Sequence, residues 1–164
     1  MIDAMQWFQL NGKKAMVTGG AAGLCYAMAE GLHLAGAEVV LVDRSPAVGE
    51  AAARLGAQGA PVHGGQGDLS HWEGIPALYD RALADLGGRG VNVNAIAPGY
   101  MVTQLTADMQ GKNPAQYAEI TGRIPMHRWG QPEDLQGAVV FLASPAAAYV
   151  TGAILPVDGG YLGK

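Results

Sequence analysis

The chain has 164 residues, a formal net charge of −4 and a pI near 5.4. This length suits a single domain spanning residues 1–164, large enough to bury a hydrophobic core. Its ten basic residues form no cluster, which argues against nucleic acid or an anionic membrane surface as a partner. The single cysteine, Cys25, excludes an internal disulfide and indicates a reducing, cytoplasmic compartment.

The strands of the first half are predicted at residues 13–19, 38–43 and 60–67. The first is short, apolar and ends in glycine, and the second (EVVLVD) is apolar on both faces, as parallel sheets require. The third carries Gly64, Gly65 and Gly67, so we expect an edge strand.

Helices are predicted between these strands and after the third. Apolar or small residues recur at helical spacing over 24–35, and Gly36 follows as a C′ residue would. Ser45-Pro46 predicts an N-cap and first-turn proline for a helix that ends near Gly56. A third helix is expected over about 75–86.

The stretch RGVNVNAIAPGY at 89–100 combines a strand pattern with two amides on one face, Asn92 and Asn94. Buried amides need hydrogen-bond partners, so we expect neighbouring loops or the strand's own end to supply them. Pro98-Gly99 cannot continue a central strand and predicts that the strand stops there.

The remaining elements are two helices and a final strand. Asn113-Pro114 predicts the start of a helix that Gly122 ends, and residues 131–134 (QPED) predict the start of another. The last strand is expected at 153–157, closed by residues 158–160 (DGG). No residue from 135 to 157 is charged, but Ser144-Pro145 and Thr151-Gly152 interrupt this stretch, which favours helix, loop and strand over a membrane span. Alternating strands and helices predict an open, mostly parallel α/β sheet.

The glycine-rich turn at 18–25 (TGGAAGLC) lies between a predicted strand and helix. Glycines there let backbone N–H groups approach a pyrophosphate at a helix N-terminus. Asp43 ends the second strand, 20 residues beyond Gly23, where a carboxylate would bind the adenosine ribose and repel a 2′-phosphate. This favours NAD, although Arg44 could pair with the phosphate of NADP instead.

The turn resembles that of the classical short-chain dehydrogenase/reductase family. Thr18, Gly19 and Gly23 match the pattern Thr-Gly-x-x-x-Gly-x-Gly, whereas Cys25 replaces its last glycine and would crowd the approach of the helix to the strand and cofactor. The resemblance implies a Rossmann-like doubly wound parallel sheet. It also implies cofactor contacts from Thr18, Gly19, Gly20, Ala22, Gly23, Leu24, Asp43 and Arg44.

Three further segments carry the resemblance. Asp68-Leu69 is similar to the acidic dipeptide at the adenine ring. Residues 94–99 (NAIAPG) with Thr103 resemble the segment that holds the nicotinamide carboxamide, which implies contacts from Pro98, Gly99, Val102 and Thr103. Residues 128–160 resemble members that oxidise polyols and sugar acids, notably gluconate 5-dehydrogenase-like enzymes, and imply such a substrate and a homo-oligomer.

The family's proton donor, a tyrosine followed four residues later by lysine, is missing. None of the six tyrosines has lysine at that spacing, and the substrate-orienting serine is also absent, so no catalytic residue is assigned. No metal-ligand spacing is present either. The resemblance stops near Gly88 and resumes at Arg89 with two strand–helix units skipped, an internal deletion of roughly 60 to 90 residues.

This deletion predicts a rearranged sheet. The family order is 3-2-1-4-5-6-7, so a chain that folds alone would place strand 6 beside strand 1, giving 3-2-1-6-7. Loss of two helices would expose apolar sheet surface and favour self-association or instability. Three hypotheses follow: an NAD-dependent oxidoreductase by family with an internally deleted chain; a catalytically silent nucleotide-binding or oligomerisation module; or a coding sequence with further residues between Gly88 and Arg89.

Overall fold

A computed structural model describes residues 4–57, 59–67, 92 and 94–163 of the chain. The first half starts with a 3-10 helix, Ala4–Phe8. Its strands are β1 (Lys14–Thr18), β2 (Glu38–Asp43) and β3 (His63–Gln66), and its helices are α1 (Gly23–Leu34) and α2 (Val48–Gly56).

The described residues of the second half, 92 and 94–163, form two strands and three α-helices. The strands are β4 (Ala95–Pro98) and β5 (Ile154–Val157). The helices are α3 (Met109–Lys112), α4 (Pro114–Arg123) and α5 (Gln136–Ala143), with 3-10 turns at Pro132–Leu135, Pro145–Ala147 and Tyr161–Gly163.

The first sheet is parallel, with β2 between β1 and β3. This confirms the predicted α/β class and the position of β3 at a sheet edge. Leu41 and Val39 of β2 are fully buried together with Leu55 and Val48 of α2, because β2 has neighbouring strands on both sides and helices over its face.

Two helix boundaries differ from prediction. Ser45-Pro46 lies before α2 rather than at its first turn, because the Ser45 N–H bonds to the Asp43 carboxylate and the Ser45 hydroxyl accepts from Ala47, which forms a separate turn. Gly122 lies inside α4, which ends at Arg123. Asn113 caps α4 as expected, its side chain accepting from the Gln116 N–H.

The predicted continuous order 3-2-1-6-7 is wrong for the described residues. They form two sheets, one with the order β1-β2-β3 and one in which β4, expected as strand 6, pairs in parallel with β5. The junction near 88–90 and the predicted third helix lie outside the described residues, as do Asp68 and Leu69.

A contact between helices connects the two halves of the described structure. Helix α1 packs against α5 and the 3-10 turn before it, and the Gln136 Nε2–H donates to Glu30 Oε2 at 3.0 Å. A Cβ on Gly31 would lie only 2.8 Å from the Gln136 Cβ. The two halves of the described structure are therefore in close contact through α1 and α5, although their strands form separate sheets.

One face of β1 is open to solvent. Exposed and half-buried side chains alternate along the strand, and Met16 at its centre is 71% exposed. In β5, Ile154 is 70% exposed. This confirms the expected exposure of apolar sheet surface.

The uncharged stretch 135–157 folds as predicted. It forms α5, a 3-10 turn and β5, with the buried Leu135 and Ser144 at the two ends of the helix. Within the described part of the chain, no helix combines the length and apolar character needed to cross a membrane.

Candidate nucleotide site

The glycine-rich turn joins β1 to α1 in a conformation that requires glycine. Gly19 and Gly23 have φ values of +68° and +66°, in the left-handed region that favours this residue. Gly20 is buried, and a Cβ there would lie 3.0 Å from Leu41 Cδ2. The turn is therefore held tightly against β2.

Helix α1 begins directly after this turn. Ala22 is extended at the N-cap position and provides no side-chain hydrogen bond to the first turn of the helix. The N-terminal N–H groups of a helix have no partners within the helix and carry partial positive charge. Gly23 and Leu24 thus place backbone donors where an anionic group could be bound.

Asp43 connects the end of β2 to the glycine turn. Its Oδ2 accepts from the Ala21 N–H at 3.0 Å, and its Oδ1 accepts from the Ser45 N–H at 2.8 Å. The Ser45 and Ala21 N–H groups hold the pKa of this carboxyl below its ordinary value. Asp43 is therefore an oriented anion beside the turn, while the neighbouring Arg44 is exposed.

Cys25 fits beside the turn at normal packing distance. Its Sγ lies 3.5 Å from the position that a Cβ on Gly19 would occupy. This is ordinary van der Waals contact, so the first turn of α1 accommodates the thiol where the family pattern has glycine.

The second part of the site is a lip, residues 98–103, at the end of β4. The Gly99 N–H donates to the Val157 carbonyl at 3.0 Å. A Cβ on Gly99 would lie 2.6 Å from the Asp158 Cα, so only glycine allows this approach. The predicted stop at Pro98 is confirmed, since β4 ends there.

Val102 and Thr103 are half-buried, and their backbone donors are already bound. The Val102 N–H donates to the Gly130 carbonyl at 2.8 Å, and the Thr103 N–H donates to Thr106 Oγ1 at 2.8 Å. The Thr103 hydroxyl lies 3.2 Å from that of Thr106. The sequence analysis did not assign a role to Thr106. Its position three residues after Thr103 could have indicated a local side-chain hydrogen bond to the Thr103 backbone.

The two amides before the lip are satisfied by the loop that precedes β5. Asn92 Nδ2–H donates to the Ala147 carbonyl, and Asn94 Nδ2–H donates to the Val150 carbonyl, both at 2.8 Å. Asn94 Oδ1 also accepts from the Ala153 N–H at 3.0 Å. These bonds confirm the expectation that a neighbouring loop partners the amides.

A cavity of about 410 Å³ lies beside the lip. Polar groups from Tyr100, Arg128 and Asp134 line it together with the 156–160 segment. Below it, the Trp129 ring stacks on Tyr117 at 4.9 Å and lies 5.2 Å from Tyr100. His127 is exposed and is not among the lining residues.

Other predicted features are placed as follows. Thr18 is exposed at the end of β1, at the entrance to the glycine turn. Among the residues that the structure describes, no group of three or more potential ligands could hold a metal ion.

Two family sequence models match consecutive, slightly overlapping stretches of the chain. The one described as short chain dehydrogenase matches residues 13–89, and the one described as enoyl-(acyl carrier protein) reductase matches residues 81–162, half of the chain. The chain belongs to the short-chain dehydrogenase/reductase family. In this short-chain dehydrogenase/reductase, the glycine turn falls in the first match and the lip in the second.

Curated relatives are similar over part of the chain. A 2-dehydro-3-deoxy-D-gluconate 5-dehydrogenase of Pseudoalteromonas atlantica is 57% identical over 77 residues, 47% of this chain and 30% of the relative. A galactitol 2-dehydrogenase (L-tagatose-forming) of Cereibacter sphaeroides is 54% identical over 82 residues, 49% of this chain and 32% of the relative. These alignments thus span about a third of each relative's length.

Solved structures of the family share the fold. A Beutenbergia cavernae protein assigned as an NAD(P)-dependent gluconate 5-dehydrogenase, with NADP bound at low occupancy, superposes with a TM-score of 0.84 and 28% identity. The superposition covers 96% of this chain and 100% of that one. Its Rossmann-type architecture agrees with the predicted fold class.

Proposed function

We propose that the chain binds a nicotinamide dinucleotide, with the pyrophosphate at the glycine turn and the nicotinamide at the lip. The observation that carries this proposal is the fixed Asp43 carboxylate, bonded to the Ala21 N–H of the turn itself. A dinucleotide site requires three features that occur here. They are a glycine turn with no room for a side chain at Gly20, N–H groups at the start of α1 without a side-chain cap, and an oriented carboxylate. Thr18, Gly19, Ala22, Gly23 and Leu24 would line this end of the cofactor.

The lip would hold the other end of the cofactor. Pro98, Gly99, Val102 and Thr103 are the proposed contacts, with the Thr103 hydroxyl as the side-chain group for the carboxamide. Asp68 and Leu69 are proposed at the adenine ring by resemblance alone, since they lie outside the described residues. When bound, the cofactor would supply hydride chemistry, and the protein would supply its position and electrostatic surroundings.

NAD is the proposed cofactor. A carboxylate whose pKa is held low stays anionic at neutral pH and repels a 2′-phosphate. Arg44 is the feature that favours the alternative, NADP, which is bound in the Beutenbergia cavernae structure. Asp43 and Arg44 thus make opposite predictions that one titration can separate.

The proposed reaction is hydride transfer between the nicotinamide and a sugar acid or polyol. The names of the relatives, a 2-dehydro-3-deoxy-D-gluconate 5-dehydrogenase and a galactitol 2-dehydrogenase, support this substrate class. The 164-residue chain itself has no Tyr-x-x-x-Lys, so the family's proton donor is not encoded in it. Turnover by this chain would therefore require another proton donor, so cofactor binding and turnover are tested separately.

The second candidate function is a catalytically silent nucleotide-binding or oligomerisation module in the cytoplasm. The missing Tyr-x-x-x-Lys favours it, and the exposed apolar sheet face supports a homo-oligomer. An internal deletion between Gly88 and Arg89 would explain both the missing proton donor and the separated sheets. The two family matches meet at residues 81–89, which supports this explanation.

Calorimetric titration of the intact chain with NAD and with NADP tests the proposal. We expect saturable NAD binding, weaker NADP binding, and a loss of this preference in D43N. R44A should weaken NADP more than NAD. If neither dinucleotide binds, the proposed function is wrong; NADP binding more tightly than NAD would overturn only the cofactor preference.

An activity assay then separates the two candidates. NADH formation is followed with galactitol and with sugar acids as substrates. Saturable NAD binding without turnover supports the silent module, whereas NADH formation supports the oxidoreductase and requires another proton donor. The intact mass of the purified protein and the coding sequence across Gly88 and Arg89 decide the third hypothesis.

A further inference from the structure

An ion pair closes the turn that lies behind the lip. Arg128 donates from Nη1 to Asp134 Oδ2 at 2.6 Å and from Nη2 to Asp134 Oδ1 at 2.9 Å. Asp134 Oδ2 also accepts from the Gln131 N–H at 2.7 Å. A two-pronged pair of this kind fixes geometry as well as charge, so residues 128–134 form a rigid turn.

The turn holds the lip through backbone hydrogen bonds to Gly130. The Gly130 N–H donates to the Tyr100 carbonyl at 2.9 Å, and the Val102 N–H donates to the Gly130 carbonyl at 2.8 Å. Met101, between them, is 6% exposed and forms a parallel bridge with Gly130. Although β4 ends at Pro98, residues 100–102 are thus braced as if by a neighbouring strand.

Thr106 extends this bracing to Thr103. Its hydroxyl donates to the Met101 carbonyl at 2.7 Å and accepts from the Thr103 N–H at 2.8 Å. The Thr103 backbone is therefore fixed relative to Met101, which Gly130 holds in turn. Hydrogen bonds, with short backbone steps between them, thus lead from Arg128 to Thr103.

We propose that Arg128, Asp134 and Thr106 are positioning residues that fix the lip for the nicotinamide end of the cofactor. This inference rests on the proposed function, since the lip has a ligand only if a dinucleotide binds there. The three side chains act through Gly130 and Met101, not by contact with the cofactor. Loops that bind ligands need such support, because a displacement of about 1 Å weakens productive contacts.

The test compares NAD with ADP-ribose, which lacks only the nicotinamide. D134N removes one partner of the ion pair, and T106V removes the hydroxyl at a separate step of the same network. Each variant should weaken NAD binding by about three- to tenfold, the equivalent of one net hydrogen bond, and leave ADP-ribose binding within about twofold. A general loss of structure would weaken both ligands alike.

Two control variants sharpen the comparison. T106S keeps the hydroxyl and should restore wild-type NAD affinity. D108N removes a surface ion pair with Lys112 in the same half of the chain and should leave the affinity for both ligands unchanged.

If T106V folds and binds NAD as the wild type does, or if D134N and T106V bind both ligands more weakly by the same factor, the positioning role is wrong. If the wild-type chain binds ADP-ribose and NAD with equal affinity, this inference is wrong, but the proposed binding of the pyrophosphate at the glycine turn is not contradicted. If the wild-type chain binds neither ligand, both the inference and the proposed function are wrong.

Discussion

Gly99 meets the backbone of Asp158 so closely that no other residue fits. Replacement by alanine would force the end of β4 away from the segment after β5, because the added Cβ meets Cα and Cβ atoms that cannot rotate aside. Pro98-Gly99 was recognisable from sequence because the dipeptide stops a strand. The close approach to Asp158 was not, because it joins residues 59 positions apart.

G99A should destabilise the chain by about 1–3 kcal/mol, the usual cost of overpacking. The matched control is G122A in α4, where a Cβ meets nothing within 4 Å. Alanine there should stabilise by about 0.5–1 kcal/mol, since glycine weakens a helix. Urea-unfolding midpoints of the two variants measure both effects, and equal midpoints would contradict the assigned contact.

The Arg128–Asp134 ion pair makes a second prediction at the residue scale, concerning pH. The Arg128 guanidinium holds the pKa of Asp134 below its ordinary value of 3.8. When the pKa of a carboxyl group is lower in the folded state than in the unfolded state, the group stabilises the folded state. This contribution is fully present at pH values above the unfolded-state pKa and is lost as the pH falls through the folded-state pKa.

The difference in Tm between the wild type and D134N should therefore be constant from about pH 7 to about pH 5. It should shrink once the pH falls below 3.8, as Asp134 of the wild type becomes protonated. Thermal unfolding followed by circular dichroism checks this. A difference that grows on acidification would mean that the ion pair is not the source of the stabilisation.

At the scale of elements, local patterns predicted β1, α1 and β2 to within about a residue at each end. These elements follow from short-range information: an apolar run, a helical repeat and a terminal glycine. The start of α2 was misplaced because Asp43 captures the Ser45 N–H, an interaction that capping rules for isolated helices do not include. The pairing of α1 with α5 was also not predictable, since Gly31 and Gln136 are 105 positions apart.

G31A tests the contact between these helices. The added Cβ would lie 2.8 Å from the Gln136 Cβ and 3.1 Å from its Cα, so the helices must separate. We expect a net loss of about 1 kcal/mol in the free energy of unfolding, overpacking exceeding the gain in helix propensity. G137A is the control on α5 itself, because a Cβ there meets nothing within 4 Å; it should be neutral or stabilising.

For the whole molecule, the described strands form two separate sheets, while helices α1 and α5 pack across the two halves. The sequence indicated which strands exist but not that β4 and β5 would form a sheet separate from β1, or that α1 would pack against α5. The two missing strand–helix units led to the prediction of one continuous sheet, because an unpaired strand edge exposes backbone N–H and C=O groups that can pair with another chain. The described structure keeps the helix contact and leaves one face of β1 in solvent.

Self-association should follow from this exposed face. We expect the sedimentation coefficient of the wild type to rise with concentration, and M16K to weaken the association because a charge replaces the apolar centre of the β1 face. L105K is the control, since Leu105 is 94% exposed but lies outside the sheet. Association that L105K weakens as much as M16K would point to another surface.

The amides of Asn92 and Asn94 bear on how such a chain could arise. Both bind carbonyls more than fifty positions further along, so the approach to β4 is anchored to the C-terminal segment. A genetic rearrangement with a breakpoint before residue 92 leaves these bonds in place. Residues 92–164, nearly half of the 164-residue chain, are therefore suited to inheritance as a unit that can be joined to different upstream coding segments.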